Sequence, residues 1–229
     1  TSLLSSVSHE LRSPLAAIKA SVSSLRSGTV NWESSARQDL LETVEEETDH
    51  LNLLVGNLLD MSRIESGALK LNLRWNSVGE IVKGVAAKMR KSLQDHSLVV
   101  QLDENLPLVP TDYVMLEQVF SNLLSNSIKY APANTTIQVS GAVDGDFLHI
   151  TVTNEGPLVP VEHLERIFDK FNRITEADRI TGTGLGLSIC KGIVEAHHGQ
   201  IWAENQACCF AFHIKLPYTI DGSLPEHPK

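Results

Sequence analysis

A short group of residues near the N-terminus combines an imidazole, a carboxylate and a hydroxyl. His9 is followed directly by Glu10, and Ser13 comes four residues after the histidine. Four residues are about one helical turn, so His9 and Ser13 would share one face of a helix. These are groups of acid–base and nucleophilic chemistry, but most neighbouring His–Glu pairs are ordinary surface residues. Whether this group has a function therefore depends on what the rest of the chain supplies.

A second group is rich in amides. Asn122, Asn126 and Lys129 are spaced four and three residues apart, and Tyr130 follows. At that spacing the first three share a helix face. An amide oxygen suits Mg²⁺ held between nucleotide phosphates, and a lysine suits the phosphates themselves. The alternative is an amphipathic helix whose polar side happens to be amide-rich.

The third group is the glycine-rich stretch 182–187, Gly-Thr-Gly-Leu-Gly-Leu, which precedes a helical pattern. Glycines there let backbone N–H groups face a phosphate, and the N-terminus of the following helix adds favourable partial charge. Such stretches are often only turns. The spacing is not that of a Walker loop, and the absence of a directly preceding strand disfavours a dinucleotide-binding unit.

Composition limits the classes of protein to consider. The chain has 229 residues with 42% hydrophobic and 21% charged side chains, which suits one large soluble domain or two small ones. A net charge of −9 argues against general binding to nucleic acid or to an anionic membrane surface. Three cysteines are too few for a disulfide framework, so we expect reduced thiols. The nine histidines have no metal-ligand spacing, and His197 and His198 fit a helix end.

The sequence contains neither an apolar run long enough to span a membrane nor a signal peptide. The chain starts at Thr1 without a methionine and enters the His9 group almost at once. We therefore expect a cytoplasmic fragment of a longer protein, without direct membrane contact of its own. A membrane anchor, if the parent protein has one, would lie outside it.

Two long helices are predicted in the N-terminal part. Apolar residues recur every three or four positions in 3–26 and in 33–65, with a breaker at 27–31 and a proline, Pro14, that predicts a kink. The second helix carries a heptad stripe that is widened by Leu41, Val55 and Leu59. Two helices cannot bury that much apolar surface alone. We therefore predict a homodimer whose helices form a four-helix bundle.

The rest of the chain has the pattern of an α/β domain. A short strand is predicted in the linker before residue 76. Helices are predicted at 78–89, from a cap at Asp112 to 130, near 163–168 and from the glycine-rich stretch to about 198. Strands are predicted at 98–102, 136–140, 147–153, 200–204 and 210–216. This order describes an α+β sandwich with helices on one face of a mixed sheet.

Taken in order, the motifs resemble those of a known family. The His9 group, residues 122–130, the stretch Ile167-Phe168-Asp169-Lys170-Phe171 and residues 182–187 are similar to the H, N, F and G2 boxes of sensor histidine kinases of two-component systems. The resemblance covers residues 6–217, and the ordered boxes together are highly specific. Residues 58–67 and 71–75 look closest to the potassium-sensing Kdp-type branch.

The resemblance implies two domains. Residues 1–68 would form the dimerisation and histidine-phosphotransfer domain, 69–76 a linker, 77–217 a catalytic ATP-binding domain of the Bergerat type and 218–229 a flexible tail. The cofactors would be ATP and Mg²⁺. The partners would be a second copy of the chain and the receiver domain of a response regulator. Partner choice would depend on helix surfaces near the histidine, such as Ala16, Lys19, Ala20 and Ser23.

The resemblance also implies roles for single residues. His9 would be the phosphoacceptor, and Glu10 would hold or take the proton on the second ring nitrogen. Ser13, where the family often has threonine, would orient a water for phosphatase activity on a phosphoaspartate. Asn126 would hold Mg²⁺, and the loop 172–183 would be the ATP lid. The nucleotide would be bound by Asn122, Asn126, Lys129, Tyr130, Asn154, Gly156, Arg173, Gly182, Thr183, Gly184, Leu185, Gly186 and Leu187.

One box departs from the family pattern. The G1 box normally reads Asp-x-Gly-x-Gly, and the matching residues 154–158 read Asn-Glu-Gly-Pro-Leu. Asn154 keeps an acceptor oxygen for the adenine amino group but loses the charge, which costs about 1–2 kcal/mol. Leu158 adds bulk and a backbone restriction in place of glycine. The glycines expected between 204 and 212 are also absent. Glu155 could replace the lost acid only by turning toward the adenine.

Three hypotheses follow. The first is an active protein-histidine kinase that phosphorylates His9 from Mg-ATP and passes the phosphoryl group to an aspartate of a response regulator. The second is a nucleotide-impaired pseudokinase or phosphatase scaffold of the same fold, because the degenerate G1 box weakens ATP binding. The third is an ATP-driven clamp like the gyrase and chaperone relatives of the Bergerat fold. It leaves the His9 group on a dimerising helix unexplained.

Overall fold

The computed structural model describes residues 2–27, 34–103, 105–172, 184–207 and 209–219. The chain divides into two compact units, residues 1–62 and 63–229. The first unit contains helix α1 (Ser2–Arg26) and all but the last turn of helix α2 (Ser34–Glu65), and α1 continues through Pro14. Both helices agree with the predicted ones to within one residue. Most of the predicted breaker lies outside the described residues.

Helix α2 leaves apolar side chains in contact with solvent. In the single chain Leu41, Val55 and Leu59 are 45%, 48% and 54% exposed. The main stripe is better covered, and its members Leu54 and Met61 are buried. A row of exposed apolar side chains on a long helix is typical of a protein–protein interface. The homodimer remains a prediction that this surface favours.

The second unit is built on a five-stranded mixed sheet. With strands numbered along the chain, its spatial order is β2 (Ser97–Leu102), β4 (Thr136–Asp144), β5 (Phe147–Glu155), β7 (Cys209–Pro217) and β6 (Gln200–Asn205). Strands β2 and β4 are parallel, and the other neighbouring pairs are antiparallel. All five predicted strands are present, and β4 and β5 form the predicted hairpin.

A separate two-stranded ribbon pairs β1 (Arg74–Asn76) with β3 (Val109–Thr111). Strand β1 corresponds to the short strand expected in the linker. The sequence pattern does not predict β3, because Pro110 cannot donate to a strand ladder. A strand with a single ladder neighbour tolerates that loss.

Three helices supply the other half of the core: α3 (Val78–Lys88), α4 (Tyr113–Tyr130) and α5 (Gly186–Ala196). Burial alternates along β5, where Leu148, Ile150 and Val152 are buried and the residues between them are half-buried. This alternation is typical of a sheet with helices packed on one face. The predicted sandwich is confirmed.

The helix expected near 163–168 is instead a pair of 3₁₀ turns, Val161–His163 and Arg166–Phe168. The N–H of His163 donates to the carbonyl of Pro160 at 2.8 Å, a bond across three residues rather than four. So short a segment, started by a proline, gains too few bonds to offset the cost of nucleating an α-helix. Ile167 and Phe168 are buried all the same.

Asp112 ties three parts of the second unit together. Its Oδ1 accepts from two backbone N–H groups in the first turn of α4, at 3.0 and 3.2 Å, as the predicted cap. Its Oδ2 accepts from the N–H of Asn72 at 2.9 Å, and its own N–H donates to Nε2 of His197 at 3.0 Å. The Nδ1 of His197 lies 2.8 Å from the carbonyl oxygen of Ile193. A neutral ring satisfies both of these bonds.

Three histidines with lowered pKa values predict a fold that is sensitive to acid. Burial lowers the pKa of His149, His197 and His213 below the ordinary value of 6.5. Below pH 6.5 the unfolded chain then binds more protons than the folded one, so stability is full above that pH and is lost as the pH falls. We expect the free energy of unfolding in urea to decline from pH 7 to about pH 5.5.

A single substitution tests the contribution of His197 to the pH dependence of stability. His197→Leu should be less stable at pH 7 and should have a shallower pH dependence, because one titrating ring is gone. The control is His50→Gln, since His50 lies on α2, outside the unit that contains His197. Equal pH dependence in the wild type and His197→Leu would contradict the assignment.

Candidate active site

The first candidate group lies on α1. Glu10 is half-buried and Ser13 is exposed, while the side chain of His9 lies outside the described part of the structure. The backbone of α1 is helical through all three residues. Positions 9 and 13 are therefore about one turn apart along the helix, as their spacing predicts.

The amide-rich group lies on the C-terminal half of α4. Asn122, Asn126 and Lys129 are half-buried on one side of the helix. The Nδ2 of Asn122 donates to the carbonyl of Gly186 at 3.3 Å, so α4 contacts the first residue of α5. A Cβ on Gly186 would lie 3.6 Å from Cγ of Asn122. The Nζ of Lys129 lies 5.4 Å from the ring centre of Tyr130, a distance suited to a cation–π contact.

The start of α5 is suited to an anion. Leu185, at the N-cap, is buried and makes no side-chain capping bond. The N–H groups of the first turn point out of the helix N-terminus, where the helix dipole favours negative charge. The helix begins at Gly186, four residues after the first glycine of the stretch. A phosphate group fits this environment.

Phe171 and Gly184 join the F and G2 boxes. The N–H of Phe171 donates to the carbonyl of Gly184 at 3.0 Å. Gly184 has a φ of +66°, and a Cβ there would come within 2.9 Å of Cα of Phe171, so only glycine allows the contact. The two boxes therefore meet where residues 173–183 begin and end. Arg173, Gly182 and Thr183 lie outside the described residues.

Asn154 occupies the position of the expected acid. It is only 3% exposed, near the end of β5. Its Nδ2 donates to the carbonyl of Glu155 at 3.1 Å, and this bond fixes which way the amide faces. In that orientation Oδ1 is the atom left to accept from an adenine amino group. The Oε1 of Glu155 accepts from the N–H of Thr136, the first residue of β4, at 3.3 Å.

Two other G1 residues, Gly156 and Leu158, differ in how closely the structure surrounds them. Gly156 has a φ of +157°, and a Cβ there would lie 2.9 Å from the carbonyl oxygen of Tyr130, so this glycine is required. The G1 box thus touches the end of the N box. Leu158 is 52% exposed and its φ is not positive. The expected backbone restriction at Leu158 is therefore absent.

Metal-binding clusters, membrane-spanning helices and a buried thiol are three further features to consider in the described ranges. They contain no group of three His, Cys, Asp or Glu side chains arranged to hold a metal ion. No helix within them is both long and apolar enough to cross a membrane. Burial raises the pKa of Cys190, on α5, to about 12, so its thiol stays protonated. The amide oxygens of the N box are the ligands that suit Mg²⁺.

Comparison with known proteins agrees with this geometry. Residues 111–219 match the family model of the histidine kinase-, DNA gyrase B- and HSP90-like ATPases, and residues 1–67 match the His Kinase A (phospho-acceptor) domain. The sensor protein KdpD of Mycobacterium tuberculosis is 39% identical over 212 residues, which cover 89% of this chain and 24% of that protein. KdpD of Escherichia coli is 35% identical over 235 residues, covering 98% and 25% respectively.

The chain thus spans about a quarter of the length of these curated relatives. Among solved structures, the histidine kinase AdeS of Acinetobacter baumannii has a TM-score of 0.72 and 28% sequence identity. The match covers 91% of this chain and 97% of that one.

Proposed function

The chain belongs to the sensor histidine kinases of two-component systems, and from that premise we propose that it phosphorylates its own His9 from Mg-ATP. The phosphoryl group would then pass to an aspartate in the receiver domain of a response regulator. The family supplies the reaction class, and the residues of this chain support the details.

The observation that carries the proposal is the meeting of the N, F and G2 boxes around the start of α5. Asn122 bonds to Gly186, and Phe171 bonds to Gly184. The amide-rich side of α4 and the N-terminus of α5 are therefore next to each other. That set suits the phosphates of a nucleotide and their Mg²⁺.

Within this site each group has a chemical task. Bound ATP would supply the γ-phosphoryl group, with Mg²⁺ on Asn126 neutralising phosphate charge. Attack by the neutral imidazole nitrogen of His9 forms the N–P bond while the bond from the γ-phosphorus to the leaving oxygen of ADP breaks. Glu10 takes or holds the proton of the second ring nitrogen, so the imidazole stays nucleophilic. Lys129 and the N–H groups of α5 hold the phosphates.

Two interactions of the helical unit belong to the same proposal. A second copy of the chain would cover Leu41, Val55 and Leu59 and complete a four-helix bundle. A response regulator would dock beside His9, where Ala16 and Lys19 are exposed. From Ser13, also exposed, the hydroxyl could orient a water to hydrolyse the phosphoaspartate of the regulator.

A second candidate function is a phosphatase or docking scaffold that binds nucleotide too weakly to turn it over. The substitution of Asn154 for the family's acid favours it. Titration calorimetry with ADP and Mg²⁺ discriminates between the two. A dissociation constant below 1 mM supports the kinase, and no binding at millimolar ADP supports the scaffold.

Restoring the acid in the G1 box should separate nucleotide affinity from stability. We expect Asn154→Asp to tighten binding of Mg-ADP up to about tenfold, because a charged acceptor strengthens the bond to the adenine amino group. The nucleotide-free variant should melt at a lower temperature, because it buries a carboxylate and loses the bond from Nδ2 to Glu155.

Leu158→Gly is the companion variant. Since Leu158 is exposed and unstrained, its replacement should change affinity by less than about threefold. Weaker binding in Asn154→Asp, or a large gain in Leu158→Gly, would contradict this account of the G1 box. Calorimetry and thermal unfolding on the same samples provide both measurements.

A further inference from the structure

The chain takes an unusual path after the G1 glycine. Glu155, the last residue of β5, lies opposite Cys209 at the start of β7, and Phe210 of β7 lies opposite Asn205 at the end of β6. Strand β6 is at the edge of the sheet. The segment 157–160 therefore passes the start of β7 and reaches the end of the edge strand.

At that point Asn205 makes two hydrogen bonds to one residue. Its Nδ2 donates to the carbonyl of Val159 at 2.6 Å, and its Oδ1 accepts from the N–H of Val159 at 3.0 Å. A side-chain amide offers one donor and one acceptor side by side, as a backbone peptide group does. Asn205 thus pairs with Val159 as a neighbouring strand would.

The segment needs such a partner because of its sequence. Pro157 and Pro160 have no N–H, so the segment cannot join the sheet through a regular ladder. Its other end is fixed where Gly156 lies against the carbonyl of Tyr130. The loop is therefore held at both ends, by the N box at Gly156 and by Asn205 at Val159.

We propose that Asn205 is a positioning residue of the nucleotide site, which holds the G1 loop in its binding conformation from the edge strand β6. This role rests on the proposed binding of Mg-ATP. We call the two hydrogen bonds between Asn205 and Val159 the Asn205 clamp. Without it, residues 157–159 sample more conformations, and a nucleotide binds only to those chains in the competent one. The apparent dissociation constant rises by the inverse of the fraction that remains competent.

The clamp is tested first without nucleotide. In Asn205→Ala, hydrogen exchange at the N–H of Val159 should quicken by about tenfold, the expected effect of losing its hydrogen bond. Asn205→Asp keeps the side-chain size but replaces the donor with an oxygen facing the carbonyl of Val159, so it should behave alike. The control, Gln101→Ala, removes an amide–amide bond to Gln138 of 2.9 Å in the same sheet.

The link to nucleotide is tested by calorimetry with Mg-ADP. Both Asn205 variants should bind at least about fivefold more weakly, with the urea midpoint of global unfolding close to the wild-type value. Gln101→Ala should match the wild type in all three measurements. Unchanged exchange at Val159 overturns the clamp, and faster exchange with unchanged affinity overturns the positioning role. A wild type that binds no Mg-ADP overturns the proposed function instead, and the exchange data separate that failure from the others.

Discussion

His9→Gln will abolish the transfer of label from γ-labelled ATP to the chain and leave binding of Mg-ADP at its wild-type strength. Glutamine fills similar space on α1 but has no nucleophilic ring nitrogen, so the N–P bond cannot form. Loss of the acceptor atom removes the reaction completely rather than slowing it. The residues proposed to bind the nucleotide all lie in the other unit of the chain, which this substitution does not alter.

A second histidine in the helical unit provides the control. His50 lies on α2, half-buried, with its Nδ1 3.8 Å from Oε2 of Glu47. His50→Gln should retain full labelling. Labelling of His9→Gln at a level similar to the wild type, or its loss in His50→Gln alone, would mean that another residue is the acceptor.

Asn126→Ala will weaken binding of Mg-ADP by about a hundredfold, and the affinity that remains will no longer respond to Mg²⁺. The methyl group of alanine cannot bind a cation, so the phosphates lose the ion that neutralises them. Titrations with Mg²⁺ and with a chelator give the two affinities of each protein, and their ratio reports the metal contribution.

The neighbouring serine serves as the matched control for Asn126. Ser125 is exposed on the same turn of α4, and Ser125→Ala should keep the affinity and its Mg²⁺ dependence. A variant Asn126→Ala that still binds Mg-ADP as tightly as the wild type would contradict the assignment of Asn126. Thermal unfolding of both variants shows that the fold is intact.

The sequence predicts those elements whose signals are local. The cap at Asp112 and the apolar period of α4 mark that helix because both depend on neighbours within one or two turns. Each strand of the main sheet follows from alternating apolar residues and a nearby turn. The sequence pattern does not predict strand β3 or the two 3₁₀ turns. Pro110 and Pro160 have no backbone N–H, and which structure tolerates that loss depends on the segments packed beside them.

Long-range hydrogen bonds are the part of the site that sequence reasoning misses. Asn205 and Val159 are 46 residues apart, and His197 and Asp112 are 85 apart. A single polar side chain that bonds to a distant backbone group leaves no periodic pattern. His197 could be placed at a helix end, but its bond to Asp112 could not. Only the folded domain brings these pairs together.

For the G1 box, the change itself is visible in the sequence but its effect is not. Its departure from the family pattern is plain in the sequence, but its consequence depends on side-chain direction. Because the Nδ2 of Asn154 donates to the carbonyl of Glu155, Oδ1 is the amide atom left to accept a hydrogen bond. Leu158 is exposed with an ordinary backbone conformation. Both observations favour a site that retains nucleotide binding.

The central proposal is that ATP bound at this site phosphorylates His9. The most direct measurement incubates the wild-type chain with Mg²⁺ and millimolar γ-labelled ATP and follows the protein-bound label over time. We expect label on His9, in a bond that acid hydrolyses and alkali does not, and release of that label when a cognate receiver domain is added. A wild type that binds Mg-ADP but takes up no label at millimolar ATP would contradict it.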